Sequence, residues 1–539
     1  MKTVWDRGDF FIWLTGAALA LSMIMVTGLL GIVVKNGLGY FIPENVYQYI
    51  LKDGRSLFVQ EKETESIPGS KVGDSGKERL RIKVKKGNRD IDGTDYLWID
   101  HDSIQSKKII TTTVVIERLE WGNFHGLVEE VSFGDKPPVV GEEKAWDYLN
   151  ELIPVILEKR EEIHGIEKSD IGKISHEIET IRLHLKKLEL DGELTQKDKD
   201  DTEKRLTDLR SKNDQFEKQL AKFREQLKGH VIVRVSEKVE QKIQLSQLVR
   251  VYRPNKFNFF DKTLFSLSKA MEFVFDDPRE SNTEGGVFPA IFGTVMMVVV
   301  MSLFAAPLGV LAAFYLREYA KPGPFVSIVR IAVNNLAGVP SIVFGVFGVG
   351  FFIYALGGSI DQLFFPEKLP TPTFGTGGIL WASLTLALLT VPVVIVSTEE
   401  GLAAVPPGIR EASLALGCTK AETIFKAVFP AVMPSILTGL ILAMARAAGE
   451  VAPLMITGVV KIAPSLPLDG VWPFFHLERK FMHLGFHIYD VGFQSPNVDA
   501  SRPMVFTTTL LLIGIVILLN ISAVVMRNRL RKKLTAGGF

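Results

Sequence analysis

The chain has 539 residues, of which 47% are hydrophobic and 23% charged, and this length accommodates several folded units. Its 62 lysines and arginines nearly balance its 61 aspartates and glutamates. No net positive field exists to attract nucleic acid, so a nucleic-acid-binding protein is disfavoured. Cys418 is the single cysteine, which excludes an intrachain disulfide framework and a cysteine-rich zinc site.

Apolar stretches recur along the chain at lengths that suit a membrane, whose hydrocarbon core of about 30 Å needs roughly 20 apolar residues per helix. We predict six transmembrane helices, near residues 10–34, 288–316, 331–356, 379–396, 436–460 and 505–526. The first stretch is longer than the apolar region of a signal peptide, so we predict that it is an uncleaved anchor.

The cations beside these stretches predict the orientation, because lysine and arginine in short loops stay on the cytoplasmic side. The cations that follow the last stretch place the C-terminus in the cytoplasm: Arg527, Arg529, Arg531, Lys532 and Lys533. With six spans, the N-terminus carrying Lys2 and Arg7 is cytoplasmic as well. The sequence therefore predicts a multi-pass protein of the cytoplasmic (inner) membrane, with residues 35–284 extracytoplasmic.

The segment 35–284 is too long for a loop and predicts an inserted domain. Apolar residues at steps of three and four, in 171–188 and 206–227, predict an antiparallel coiled-coil hairpin over about 160–229. Alternating residues at 80–84, 109–116 and 231–235 predict strands. The expected fold is an all-α polytopic membrane protein with an inserted α+β extracytoplasmic domain.

An aromatic amphipathic stretch, residues 257–275, lies just before the second predicted span. Its apolar side suits the membrane interface, and it suits equally well packing on the base of the extracytoplasmic domain. The sequence favours neither alternative.

Enzyme signatures are missing from the sequence. There is no His-Glu-x-x-His, and the 9 histidines are scattered, which argues against a catalytic zinc ion. We predict no catalytic residue, no metal site and no enzymatic activity for this chain.

The predicted cytoplasmic loop 399–430 carries the most specific motif. It contains Arg410-Glu411-Ala412-Ser413, then Gly417, and ends at Pro430. Glycine allows a sharp turn and proline limits the preceding helix. This loop resembles the coupling loop, or EAA motif, of ATP-binding-cassette importer permeases, although Ala427 and Phe429 replace the isoleucine and leucine usual before the proline. The resemblance implies the type I importer permease fold, and it implies that these residues dock on a separate ATPase subunit.

Ionisable residues inside a membrane are costly and are usually functional. Arg446 and Glu450 lie four residues apart in the fifth predicted span, so on a helix they would share one face. Two readings remain open: a buried ion pair that only positions the helix, or a cation on the path of an anionic substrate whose charge Glu450 modulates.

Residues 446–454 read Arg-x-x-Gly-Glu-x-Ala-Pro-Leu. Together with Glu399 and the stretch 340–345, this pattern resembles phosphate permeases of the PstA type. The resemblance covers the first span and 285–535, so the expected domains are 1–34, 35–284 and the permease core 285–535. Relatives often have an arginine three residues before the glutamate that matches Glu399, but this chain has Val396. That departure leaves Arg446 with a larger share of anion recognition, or shifts it to a partner permease.

The resemblance implies a transmembrane subunit of an ATP-driven phosphate importer, with Arg446, Glu450 and Glu399 along the pathway. It also implies a second homologous permease, two ATPase subunits that bind the ATP, and an extracytoplasmic phosphate-binding protein; no cofactor is expected on this chain. Two alternatives remain: a permease for another oxyanion such as molybdate or sulfate, and a membrane sensor with a coiled-coil ectodomain.

We expect the inserted domain to guide docking of the binding protein or to clamp the neighbouring permease, and a spacer or envelope anchor is the alternative.

Overall fold

The computed structural model describes residues 9–72, 77–134, 136–236, 239–495 and 498–536. Lys2 and Arg7, on which the predicted orientation of the N-terminus partly rests, lie outside these residues. The chain divides into two compact units. The helical unit comprises the residues up to Tyr40, Val287–Phe365 and the chain from Leu369, and the β-rich unit comprises Phe41–Gly286 with Pro366–Lys368.

The described part begins with helix α1 (Asp9–Gly39) of the helical unit. The β-rich unit follows, and its strands form two antiparallel sheets in the orders β4-β3-β2-β1-β5 and β10-β9-β7-β6-β11, with β8 paired to β7 and a separate β12-β13 hairpin. The strands are β1 (Tyr47–Leu51), β2 (Ser56–Val72), β3 (Lys77–Lys85), β4 (Tyr96–Asp100), β5 (Ile104–Ile109), β6 (Val114–Arg118), β7 (Phe124–Phe133), β8 (Val139–Val140), β9 (Gly229–Ser236), β10 (Val239–Gln244), β11 (Leu248–Tyr252), β12 (Pro278–Arg279) and β13 (Glu284–Gly285). The helices of this unit are α2 (Arg89–Asp92), α3 (Glu142–Gly165), α4 (Gly172–Leu190), α5 (Gln196–Gln226) and α6 (Phe259–Phe275).

Two of the three predicted strands, 80–84 and 231–235, lie within β3 and β9. The third, 109–116, is wrong as a single strand. β5 ends at Ile109 and β6 begins at Val114, because a turn intervenes in which the Thr113 N–H donates to the Ile110 carbonyl at 3.3 Å.

The core of the β-rich unit lies between α3 and the second sheet. Leu149 and Ile156 of α3 pack with Phe124, Val128 and Val233 of the sheet, and all five are buried. In β9, Val231, Val233 and Val235 are buried while their neighbours are half-buried, as expected where only one face of a strand meets the core. The apolar alternation thus fixes which face of the sheet receives α3.

Helices α4 and α5 form the predicted helical hairpin around a short connection. Thr195 caps α5 by a reciprocal pair of hydrogen bonds with Asp198, which satisfies two otherwise unpaired N–H groups. At the other end, Arg224 lies 2.7 Å from Glu167. Whether the two helices supercoil as a coiled coil stays a prediction.

The chain then returns to the helical unit. Its remaining helices are α7 (Phe288–Phe314), α8 (Pro324–Leu336), α9 (Ser341–Phe347), α10 (Gly358–Phe364), α11 (Ile379–Ala404), α12 (Pro407–Ala415), α13 (Lys420–Thr423), α14 (Phe429–Gly449), α15 (Ala452–Thr457), α16 (Leu484–Tyr489) and α17 (Val498–Ala536). A π-helical segment, Gly348–Gly357, joins α9 to α10. Within the described ranges, six helical stretches are long and apolar enough to cross a membrane: Phe10–Gly39, Phe288–Tyr319, Ser341–Phe364, Ile379–Ala404, Lys420–Gly449 and Ser501–Arg529. The predicted number and order of spans are confirmed.

The predicted limits of the third and fifth spans are wrong, and proline explains both. α8 ends at Leu336 and α14 ends at Gly449, each four residues before a proline, Pro340 or Pro453. A proline within a helix lacks the N–H that would bond to the carbonyl four residues earlier, and its ring clashes with that carbonyl. The third span therefore starts at Ser341, and the chain beyond Gly449 turns into the short helix α15.

Helices α7, α11 and α14 form the centre of the helical unit. Met297 and Met301 of α7 pack with Leu386 of α11 and Ala447 of α14 in one buried cluster. Glycines set the closest approaches of backbone and side chain: a Cβ atom at Gly401 would lie 2.5 Å from the Cβ of Ser435, and one at Gly439 would lie 2.6 Å from the Cβ of Ser397. Small residues at such positions let membrane helices pack closely.

Candidate functional site

The predicted pair Arg446 and Glu450 comes together, but not on one helix face. Arg446 belongs to the last turn of α14, whereas Glu450 follows that helix with extended backbone at φ −81° and ψ 126°. Their side chains still meet, with Arg446 Nε 3.5 Å from Glu450 Oε1. This is a single contact at the long limit of a hydrogen bond, and 32% of the Arg446 side chain and 22% of the Glu450 side chain remain exposed.

The depth of Arg446 follows from the register between α11 and α14. Gly401 faces Ser435 and Gly439 faces Ser397, so the helices run antiparallel, and Arg446 lies at the level of Thr390. Thr390 is the twelfth of the 26 residues of α11. Arg446 is therefore level with the middle of α11, although it stands in the last turn of α14 itself.

The third predicted pathway residue, Glu399, lies elsewhere. It is nine residues beyond Thr390 on α11, about 14 Å along the helix axis at a rise of 1.5 Å per residue. Its partner is Arg330 of α8, with Nε 3.3 Å from Glu399 Oε1. The structure thus contains two separate ion pairs at two levels of the helical unit.

Arg330 was missed by sequence reasoning, which placed it in a loop. The signal that could have revealed Arg330 was Val396, which stands where relatives often have an arginine. Without that arginine, Glu399 on a membrane span needs a cation from another element. Arg330 provides that cation from α8, the short helix that ends before Pro340.

The predicted coupling loop folds as two short helices joined by a sharp turn. Gly417 has φ +86°, a conformation that glycine adopts without strain. Its N–H donates to the Leu414 carbonyl at 2.9 Å, and the Cys418 N–H donates to the Ser413 carbonyl at 3.2 Å, which is the Schellman arrangement at a helix end. Ser413 Oγ also lies 3.0 Å from Thr423 Oγ1, so the turn brings the second helix back onto α12.

Some residues of the motif anchor the loop to the helical unit, and others are exposed. Arg410 faces inward: its guanidinium donates to Glu318 at 2.8 Å and to the carbonyls of Leu402 and Val405 at 3.0 and 2.9 Å. Lys420 adds a second link, with its ammonium donating to the Glu318 carbonyl. Pro430 lies in the first turn of α14 but inside the continuous helical stretch Lys420–Gly449, which a π-helical segment, Ile424–Val428, leads into, so it does not end the second helix as the sequence predicted.

The outer side of α12 is uncharged apart from one carboxylate. Glu411 and Ala412 are exposed, and Leu414 and Leu416 project with them. Leu414 and Leu416 were not among the predicted coupling residues. Exposed apolar side chains beside a charged one are typical of a surface that another protein covers.

Residues 305–535, which contain both ion pairs and the coupling loop, match the family described as "Binding-protein-dependent transport system inner membrane component". The PstA phosphate transport permease of Pasteurella multocida is 31% identical over 215 residues, which are 40% of this chain and 69% of that protein. This chain belongs to the binding-protein-dependent permeases of the PstA type.

Other relatives of this permease agree. The Mycobacterium leprae protein named phosphate transport system permease protein PstA is 42% identical over 172 residues, covering 32% of this chain and 51% of the relative. The Methanocaldococcus jannaschii protein named probable phosphate transport system permease protein PstA is 35% identical over 192 residues, or 35% of this chain and 61% of the relative. The permease thus spans about half to two thirds of the length of the curated relatives it matches.

Among solved structures, an inward-facing MetNI methionine ABC transporter aligns with 45% of the permease and 94% of its own chain, at 18% identity and a TM-score of 0.34. A bacterial alginate ABC transporter aligns with 50% of the permease and 89% of its own chain, at 14% identity and a TM-score of 0.33. The family match begins at residue 305, so Phe41–Gly286, which form nearly all of the β-rich unit, lie outside it.

Proposed function

We propose that this chain is the transmembrane permease subunit of an ATP-driven phosphate importer. The observation that carries the proposal is Arg446, a half-buried guanidinium level with the middle of α11 that, among the residues the structure describes, has one loosely held carboxylate beside it. Its position in a family whose PstA members are named for phosphate transport supports the choice of ion.

The chemistry of Arg446 and Glu450 suits weak binding of an ion that is transported and then released. A guanidinium presents N–H groups in a fork that matches the oxygens of phosphate. Glu450 offsets part of the positive charge, so phosphate is attracted by Arg446 and repelled by its neighbour. A site of this kind holds the ion weakly, and the tight selection of phosphate falls to a separate extracytoplasmic binding protein.

ATP hydrolysis belongs to two partner ATPase subunits, so this chain needs no cofactor and catalyses no reaction. We propose that Glu411, Ala412, Ser413 and Gly417 form the surface that enters a cleft of the ATPase, with Arg410 and Pro430 holding that surface in place. The inward contacts of Arg410 and the outward position of Glu411 support this division.

A second homologous permease completes the pathway, and the whole lies in the cytoplasmic membrane with both termini in the cytoplasm and the segment 35–284 outside. The cations after the last span support this orientation. On that side of the membrane the β-rich unit is placed to meet the binding protein or the neighbouring permease.

Labelled phosphate uptake tests the proposal in cells that lack their own phosphate importer and express this chain with its neighbouring subunits. Arg446→Ala should abolish uptake while the protein still reaches the membrane, and Arg446→Lys should retain only part of it, because the charge stays and the fork is lost. Unlabelled sulfate and molybdate serve as competitors. Absence of phosphate uptake by a complex whose ATPase is still stimulated would overturn the choice of cargo and leave the importer architecture standing.

The coupling loop has its own matched pair of variants. Gly417→Asp forces a side chain into φ +86°, and it should uncouple ATP hydrolysis from uptake by distorting the turn. Gly408→Asp adds the same charge within the same loop, at a glycine with open space around it, and should leave uptake near the wild-type level. Equal effects of the two variants would contradict a specific role for the turn.

A further inference from the structure

Helix α6 of the β-rich unit exposes an apolar side. A helix that faces water would bury such a side. The exposed large side chains of α6 follow one face at helical spacing: Phe259, Phe260, Leu264, Leu267, Met271 and Phe275. Phe259 is 88% exposed and Phe260 is 72% exposed. The other exposed residues of the helix, Thr263 and Ser268, are uncharged.

The charged residues Lys262, Lys269 and Glu272 of α6 contact the rest of the β-rich unit, whereas Asp261 caps the N-terminus of the helix. Lys269 lies 2.6 Å from Glu117, and Glu272 lies 2.6 Å from Arg279 and 2.9 Å from Arg250. These bonds to β6, β11 and β12 fix the rotation of α6 about its axis. The apolar face therefore cannot turn inward without breaking several ion pairs of a buried network.

Aromatic contacts on the packed side hold the same orientation. Phe265 packs against Tyr252 with ring centroids 4.5 Å apart and the ring planes inclined at 47°, and Phe273 meets Phe41 edge-on with centroids 5.7 Å apart. One apolar side of α6 is therefore buried against the β-rich unit, and the exposed face is a second apolar side. The sequence left open whether this helix packs on the base of the domain or lies at the membrane interface, and packing on the base accounts only for the buried side.

Two contacts of α6 involve residues that lie next to the ends of predicted membrane spans in the chain. Phe41, which touches Phe273, comes two residues after the last residue of α1. At the other end, Gly286 lies so close to α6 that a Cβ atom there would overlap the carbonyl of Asp276. Gly286 is two residues before the first residue of α7. Because consecutive Cα atoms are 3.8 Å apart, Phe41 and Gly286, which contact the C-terminal part of α6, each lie within about 8 Å along the chain of the end of a helical stretch long enough to cross a membrane.

We propose that α6 lies in the membrane interface, with its exposed apolar face inserted at the boundary between lipid headgroups and acyl chains. A helix bracketed by the ends of two spans meets lipid first, and its uncharged face is suited to apolar burial. The absence of lysine and arginine from the exposed face predicts that insertion does not depend on anionic lipids. The proposal goes beyond the function proposed above and holds for any transported ion.

Depth measurement on the full chain, reconstituted with its partner subunits in phosphatidylcholine nanodiscs, tests the proposal. A nitroxide label is placed at Leu267 in a Cys418→Ser background, and its accessibility to oxygen and to a water-soluble nickel complex is compared. A label at Met23 of α1, which is exposed on the surface of a predicted span, gives the lipid reference. A label at Lys212, exposed on α5, gives the water reference.

The Leu267 label should be accessible to oxygen and protected from nickel at least fivefold relative to the Lys212 label, with little change when phosphatidylglycerol is added. Nickel accessibility equal to that at Lys212 would overturn the proposal. Protection from both reagents would overturn it as well, because a partner protein would then cover the face. A label at Met271, one turn away, repeats the measurement if the Leu267 variant fails to fold.

Discussion

Glu272 in the β-rich unit and the arginines Arg446 and Arg330 in the helical unit are paired in different ways. In the β-rich unit, Glu272 lies within 3.4 Å of three cations, Arg279, Arg250 and Lys269. In the helical unit, Arg446 has one carboxylate at 3.5 Å and Arg330 has one at 3.3 Å. A carboxylate surrounded by cations is committed to structure, whereas a single long ion pair leaves donors accessible to a passing anion. We therefore expect loss of Glu272 to reduce stability, and loss of Arg446 or Arg330 to reduce transport.

The largest effect should come from the network in the β-rich unit. Burial alone would raise the pKa of Glu272, but Lys269, Arg279 and Arg250 together lower it below its usual value. Glu272→Ala leaves these cations without their shared carboxylate, and we expect a loss of about 3–5 kcal/mol in the free energy of unfolding. Proteolysis of the detergent-solubilised full chain in increasing urea would measure it, following cleavage within the β-rich unit.

Glu158→Ala is the matched control, since Glu158 is exposed on α3, and it should change the free energy of unfolding by less than about 0.5 kcal/mol. A similar small change for Glu272→Ala would contradict a structural role for the network.

A second expectation concerns pH and again the β-rich unit. Burial, with a smaller contribution from Lys85, lowers the pKa of His125 from 6.5 to about 3. The unfolded chain therefore binds a proton below pH 6.5 that the folded unit does not, and stability falls as the pH drops from 6.5 towards 3. Between pH 7.5 and 5.5 the loss from this residue should be about 1.4 kcal/mol.

His125→Leu should remove that share of the pH dependence in the same proteolysis assay. The identical change at His176, which is exposed on α4, should leave it intact. An unchanged pH dependence in His125→Leu would show that this histidine does not carry the effect.

Loss of an ion pair in the helical unit should reduce phosphate uptake more than it reduces the stability of the protein. Arg330→Ala leaves Glu399 unpaired, and we expect phosphate uptake to fall about tenfold, equivalent to about 1.4 kcal/mol. Arg317→Ala removes an exposed arginine and serves as control. Restoring an arginine on α11 with Val396→Arg should recover most of the uptake of Arg330→Ala. A double variant no better than Arg330→Ala would contradict the idea that Arg330 replaces an arginine at 396.

The sequence predicted the parts of this molecule that follow from local periodicity. Six apolar stretches, two heptad-like helices and the strands at β3 and β9 all have patterns that a short window can detect. The turn between Ile110 and Thr113 was missed, since every residue of 109–116 is β-branched and favours a strand. Residue pattern alone also extended the third and fifth spans past their ends, because the effect of Pro340 and Pro453 reaches back four residues to a carbonyl.

Contacts of the candidate site could be predicted where the residues are close in sequence. Contacts between residues far apart in sequence could not be predicted. Arg446 with Glu450, and Gly417 with Ser413, lie within a few positions of each other. The partnership of Arg330 with Glu399 joins residues 69 positions apart, and nothing in the sequence near either one specifies the other. Arg410 illustrates a different limit, since its place in a motif did not reveal that its guanidinium would face Glu318.

The glycine and serine contacts between α11 and α14 have a mechanical consequence. Those helices enter and leave the coupling loop, and at Gly401 and Gly439 their surfaces touch with no room for an additional methyl group. Close contacts at two points along their length favour movement of the two helices as one packed pair. We therefore expect a displacement of α12 to tilt this pair as a unit, so that Arg446 and Glu399 move together but by different distances.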